Sequence, residues 1–168
     1  TIPESVTEIP DSAFSNATSL TSVTFAANSQ VTRIGASAFA DTDSLSTIEL
    51  PDGLTVIDAS AFSYSGLEEI TIPASVTSIK DSAFILSAAL TSVTFESGSQ
   101  LDYIDVAAFG SATSLTTIKI PSKVAVVKFE SAFYGTSSLR AINVSPSNAK
   151  YKSIDGILFN KSQTSLLT

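Results

Sequence analysis

The chain contains no cysteine, histidine, methionine or tryptophan, and each absence removes a class of chemistry. Without cysteine and histidine there is no thiolate or imidazole zinc site, no cysteine nucleophile and no Ser-His-Asp arrangement. Disulfides are excluded as well. Charge is also scarce: charged residues make up 15% of the chain, with 9 Lys and Arg against 16 Asp and Glu, for a net charge of −7. The basic residues form no cluster, so nothing here suits a phosphate backbone and no nucleic-acid partner is expected. Long hydrophobic runs are missing, because Ser and Thr interrupt them, so no membrane insertion is expected in this segment. The seven glycines are scattered singly and make no phosphate-cradling loop. Carboxylates, lysines and tyrosines remain as possible catalysts. Glu68 and Glu69 are adjacent, so on a strand they point to opposite faces and cannot share acid/base work. Asp41 and Asp43 stand in a "DTDS" turn that lacks the other ligands and the glycine of a calcium loop. The chain therefore reads as non-enzymatic, with no cofactor and no metal.

Hydrophobic residues account for 43% of the 168 residues, enough for one continuous folded structure. Ala-Phe pairs recur at Phe14, Phe39, Phe62, Phe84, Phe109 and Phe133, spaced 22 to 25 residues apart, and a period in that range predicts a solenoid. A leucine follows each phenylalanine by six residues at Leu20, Leu45, Leu90, Leu115 and Leu139, and by five at Leu67. Next comes an alternating pair, such as Val23 and Phe25, Ile48 and Leu50, or Ile70 and Ile72, which predicts a short strand with one buried side. The strand ends in a turn that is either compact ("LPDG", "IPAS", "IPSK") or longer ("FAANSQ", "FESGSQ"). Pro51, Pro73 and Pro121 stop the ladder because proline has no N–H to give. A second apolar pair follows, as in Val31 and Ile34, and then "DSAF" or a variant, where Asp or Ser suits the cap of one tight helical or 3₁₀ turn. A single coil cannot cover its own apolar edge, so identical coils stack into ladders of Phe, Leu and Ile. Residues 1–150 are expected to form six such coils. Residues 151–168, "YKSIDGILFNKSQTSLLT", lack the Ala-Phe pair and carry Asp155-Gly156 between two apolar runs, a hairpin signal. They read as a degenerate last coil of the same solenoid, the seventh. The chain opens inside a repeat at "TIPESV", without an initiator methionine or a signal sequence, and so reads as part of something longer.

The patterns "LTSVTFxxxSQVTRIGASAF" and "LEEITIPASVTSIKDSAF" resemble the BspA-type leucine-rich repeat of bacterial and protist surface proteins, over essentially the whole chain. The ending "SIDGILFNKSQTSLL" is similar to the hairpin-bearing repeats of that family. The resemblance implies a right-handed leucine-rich solenoid of the β-dominated α/β horseshoe class, with a parallel sheet on one face and short turns on the other. It also implies an extracellular or cell-surface protein that adheres or recognises, with no shared catalytic residues. That family usually carries a cysteine three residues after the phenylalanine. Here the position holds Ala17, Thr42, Ser87, Ala112 and Thr136, which are small enough to fill the same site.

The outward positions of the expected sheet form two columns. One is Ser22, Thr47, Glu69, Ser92, Thr117 and Ala141; the other is Thr24, Glu49, Thr71, Thr94, Lys119 and Asn143. A protein or glycan ligand is expected on Thr24, Glu49, Glu69, Thr71, Thr94, Lys119 and Asn143. The bland reading of the same columns is that threonine suits exposed strands. Residues 1–118 hold 14 acids and 2 bases and residues 119–168 hold 2 acids and 7 bases, so a stacked rod has one end at net −12 and the other at net +5. That separation favours head-to-tail self-assembly into a filament as the alternative role. Asn16, Asn143 and Asn160 each head a sequon and are candidate glycosylation sites.

Overall fold

The computed structural model describes residues 1–167 and leaves out the side chains of Phe129 and Glu130; Thr168, with which the last expected coil ends, lies outside the described residues. The strands in chain order are β1 (Glu8–Ile9), β2 (Arg33–Ile34), β3 (Val56–Ile57), β4 (Glu69–Ile72), β5 (Ser78–Ile79), β6 (Ser92–Phe95), β7 (Tyr103–Ile104), β8 (Thr117–Ile120) and β9 (Val126–Val127). The four-residue helix α1 (Phe129–Ala132) follows, then β10 (Ala141–Val144), β11 (Tyr151–Ile154) and β12 (Ile157–Asn160).

These elements wind into a solenoid held by three ladders. The first is the turn that carries the phenylalanines. The rings of Phe14, Phe39, Phe62, Phe84, Phe109 and Phe133 stack in that order, with centroids 5.1 to 5.8 Å apart and planes within 7° of parallel. Phe39, Phe62, Phe84 and Phe109 are wholly buried, each worth roughly 1.5–3 kcal/mol in water-excluded area. The backbone of these turns divides its donors. The N–H groups of Ser12, Phe14 and Asn16 reach the carbonyls of Ala36, Ala38 and Ala40 in the next coil, while those of Ala13, Ser15 and Ala17 bond three residues back within their own coil. That alternation needs a left-handed residue two before and two after the phenylalanine, and Ser37 and Asp41, Ser60 and Tyr64, and Ser82 and Leu86 all have φ between 53° and 59°. The expected helical or 3₁₀ turn is therefore absent from the first five coils, because a helix spends every N–H inside its own coil and leaves none for stacking. α1 forms at the sixth phenylalanine, where among the described residues no further Phe-bearing turn is stacked on it.

The second ladder is a six-stranded parallel sheet in the order β1-β2-β3-β5-β7-β9, whose rungs are only two residues long. It lies on the second apolar pair of each repeat, where the repeat pattern alone carries no strand signal. Its inward residues Ile9, Ile34, Ile57, Ile79, Ile104 and Val127 form a buried column.

The third ladder is the expected strand face, and it is interrupted. β4 pairs with β6, and β8 with β10, both parallel. Residues 21–24 and 45–50 are laid out in the same course but form no strand of the ladder; they are touched only at their ends, where the Thr24 carbonyl accepts from Ile2 beside the Ile2–Phe25 bridge and the Ser46 carbonyl from Glu68. Within the solenoid, Leu45, Leu67, Leu90 and Leu115 are fully buried. Leu67 arrives one residue early because the chain takes a short cut at Gly66, where a Cβ would strike the Asp43 carbonyl. Six coils stack in this way. The last segment is the hairpin that Asp155-Gly156 signals: β11 and β12 are antiparallel, joined at Asp155 and Gly156 with φ of 51° and 80°, and Gly156 accepts a bond from the Ile142 N–H of β10.

Candidate binding face

The site residues expected from the sequence gather on one face. Thr24, Glu49, Glu69, Thr71, Thr94, Lys119 and Asn143 are all exposed. Their neighbours on the strand (Val23, Ile48, Ile70, Val93, Ile118 and Ile142) are buried, so the period-two pattern sets which side of the chain meets water. Register fixes the lateral order where the ladder is closed. Glu69 stands beside Ser92 and Thr71 beside Thr94; Thr117 stands beside Ala141 and Lys119 beside Asn143. Among the described residues, only Thr24 of the seven makes a side-chain hydrogen bond, at 2.8 Å between its hydroxyl and that of Thr1. The other six side chains are not spent on holding the fold.

Two clefts open along this face that sequence reasoning missed. The first, of about 610 Å³, lies between Ser22–Phe25 and Thr47–Pro51. The second, of about 550 Å³, lies between Val93–Phe95 and the segment around Lys119 and Pro121. Each opens beside one of the two longer turns, residues 26–30 and 96–100. No backbone hydrogen bond joins residues 22–25 to 47–50, or β6 to β8. Turn length alone does not set this, because residues 47–50, which end in the compact "LPDG" turn, also lack backbone bonds to β4. A smaller groove of about 350 Å³ lies between residues 47–50 and 69–73, another unpaired step; it is lined by Glu49, Glu69 and Glu96 and shares Glu49 with the first cleft and Glu96 with the second.

On the six-stranded side, polar side chains are engaged instead. Arg33 bonds Asp11 at 2.7 Å and Asp58 at 2.8 Å, with Glu8 at 3.5 Å, and so ties together β1, β2 and β3. The Arg33 hydrogen bond, helped by the Ala36 N–H, holds the Asp11 carboxyl below its ordinary value, and Asp11 in turn raises the guanidinium of Arg33. Partial burial, with the Asp105 carboxylate alongside, raises the Tyr103 phenol. Thr32, Thr55 and Thr77 each donate a hydroxyl to the carbonyl of the equivalent residue one coil earlier. Among the described residues, no group of three or more Asp or Glu is placed to hold a metal ion, and Asp41 and Asp43 acquire no third carboxylate.

The sequon residues fall in different settings. Asn16 is exposed at the edge of the first phenylalanine turn, and Asn143 is exposed on the strand face. Asn160 is half-buried, and its carboxamide is engaged three times, by the N–H groups of Thr164 and Ser165 and the hydroxyl of Thr164. The positions three after the phenylalanine are filled as the small residues suggest. The hydroxyls of Thr42 and Thr136 donate to the carbonyls of Phe39 and Phe133, and that of Ser87 to the carbonyl of Phe62 in the preceding coil.

Stacked phenylalanine turns, buried leucines and a parallel strand face define a leucine-rich repeat solenoid. The BspA type Leucine rich repeat region matches six copies, over residues 1–101 and 32–166. The chain belongs to the BspA-type leucine-rich repeat family. It is similar in structure to the pneumococcal vaccine antigen PcpA, with 30% identity and a TM-score of 0.83 over 96% of this chain and 42% of that one. It is also similar to a leucine rich cell surface protein of Faecalibacterium prausnitzii A2-165, with 35% identity and a TM-score of 0.77 over 99% of this chain and 44% of that one. A leucine rich repeat protein of T. pallidum matches at 26% identity and a TM-score of 0.67, over 82% of this chain and 62% of that one. The chain thus spans less than half the length of the first two. No curated protein matches it.

Proposed function

We propose that this chain is a non-enzymatic recognition module that works outside the cell or at its surface, binding a protein or a glycan through the strand face. The observation that carries the reading is the contrast between the two sides of the solenoid. Side chains on the six-stranded side are tied to one another, whereas Glu49, Glu69, Thr71, Thr94, Lys119 and Asn143 stand exposed without a hydrogen-bonded partner among the described residues. Solenoids present variable side chains from successive coils in this way. The likeness to a vaccine antigen and to a cell surface protein supports the surface location. Reversing both charges, Glu69→Lys with Lys119→Glu, is expected to weaken retention on immobilised matrix proteins and mucin glycans several-fold while leaving the melting temperature unchanged. Equal retention of the reversed protein removes the reading.

Self-assembly end to end is the second reading. It is supported by the charge separation along the chain and by exposed apolar side chains near the last coil, Tyr134 at 72% and Leu166 at 61% exposure. Particles measured by electron microscopy should then lengthen at low salt and shorten at high salt, because opposed charges are screened beyond about 10 Å at 0.1 M ionic strength. A fixed length under both conditions removes it.

A further inference from the structure

We propose that the two clefts of the strand face are corresponding subsites, three coils apart, that together bind one linear glycan bearing free amino groups, a polymer of the glucosamine type. The proposal rests on the recognition reading above and assigns its ligand class. The clefts correspond residue by residue: Phe25 to Phe95, Glu49 to Lys119, and Pro51 to Pro121, each pair 70 residues apart. Each is walled by open strand backbone and has a half-buried phenylalanine on one side and a proline on the other. An apolar patch rimmed by carbonyls, N–H groups and hydroxyls suits a pyranose, whose ring has a C–H face and a hydroxyl rim.

The direction of the repeat decides between polymers. Each cleft is a slot running parallel to the strands. A peptide extended along an open strand edge fills one slot and stops there. The second slot lies across the strands, three coil steps of 5.1 to 5.3 Å further along the solenoid, and a chain lying along the axis reaches both. Charge decides the kind of glycan. Glu49, Glu69 and Glu96 line the groove between the clefts, Glu96 with one carboxylate oxygen already accepting the Ala74 N–H at 2.8 Å, so the bridging residues of the ligand carry ammonium groups. Lys119 occupies in the second cleft the place that Glu49 has in the first, so the ammonium groups are held at the first cleft and the groove, and the second cleft takes a sugar through its apolar and hydroxyl surfaces.

The test is calorimetric titration with glucosamine oligomers of two and eight residues, the fully N-acetylated octamer and an extended lysine-rich peptide. Thr24→Trp and Thr94→Trp each fill one cleft from an exposed position, and unchanged melting temperatures verify their fold. The amino octamer is expected to bind roughly tenfold or more tightly than the dimer. Either tryptophan variant should bring it down to the dimer's affinity, and acetylation or added salt should weaken it. Equal affinities for dimer and octamer, or indifference to both variants, overturn the proposal. So does tight binding of the peptide that one variant abolishes and the other leaves intact. Failure of every oligosaccharide, while charge reversal at Glu69 and Lys119 still weakens retention, removes the glycan and leaves the face. Failure of both removes the face as well.

Discussion

Four hydrogen bonds converge on the buried carboxamide of Asn148: its NH₂ donates to the carbonyls of Pro121 and Val124, and its oxygen accepts from the N–H groups of Lys150 and Tyr151. Asn148 joins the fifth coil to the hairpin. Asn148→Ala strands four backbone groups and is expected to cost roughly 2–4 kcal/mol in denaturant unfolding. A loss below 1 kcal/mol means that water or a rearranged turn replaces it. Nothing in the repeat pattern marked this residue, because its value lies in where two distant carbonyls happen to point. The Asp11–Arg33 contact sets an acid-side expectation. A carboxyl held low in the folded state contributes stability that is complete above its ordinary value, 3.8. That contribution is lost as the pH falls through the lower folded value. Circular dichroism from pH 5 to pH 2 should therefore show the wild type losing stability more steeply than Asp11→Asn below about pH 3.8. Matching slopes contradict this role for the pair. The hydroxyls at Thr42, Ser87 and Thr136 were legible as small residues in a tight site, but their hydrogen-bond partners were not.

The phenylalanine stack is the most legible element, since six Ala-Phe pairs in phase admit few other folds. Phe84 lies between two rings, at 5.3 Å from each, whereas Phe14 has a ring on one side and is half-buried. Phe84→Ala is expected to cost about 3–5 kcal/mol and Phe14→Ala markedly less. Chemical denaturation monitored by tyrosine fluorescence and far-ultraviolet circular dichroism measures both, and equal costs contradict a continuous spine. The two-residue rungs of the six-stranded sheet were hidden, because two residues are too short for a period-two signal and Pro, Gly, Asp or Lys follows each of them. The expected helical turns failed for a related reason. "DSAF" carries good capping chemistry, but tertiary demand for inter-coil N–H donors overrides it.

At the scale of the whole molecule, the coils are clamped along the phenylalanine turns and the six-stranded sheet, whereas on the strand face only β4–β6 and β8–β10 are closed and the other steps are open. The columns of that face were readable from alternation alone, so the expected site residues emerge together. The clefts were not readable, because they depend on which neighbouring segments of the face close their backbone bonds, and alternation does not specify that. Amide hydrogen exchange of the free protein tests this account most directly. The N–H groups of Phe39, Phe62, Phe84 and Phe109, which bond the next coil at 2.7 to 2.9 Å, should exchange only with global unfolding. Those of Thr47, Ile48, Glu49 and Leu50, with no backbone partner, should exchange orders of magnitude faster. Equal, strong protection on both sides would mean that the strand ladder is closed, with no clefts to fill.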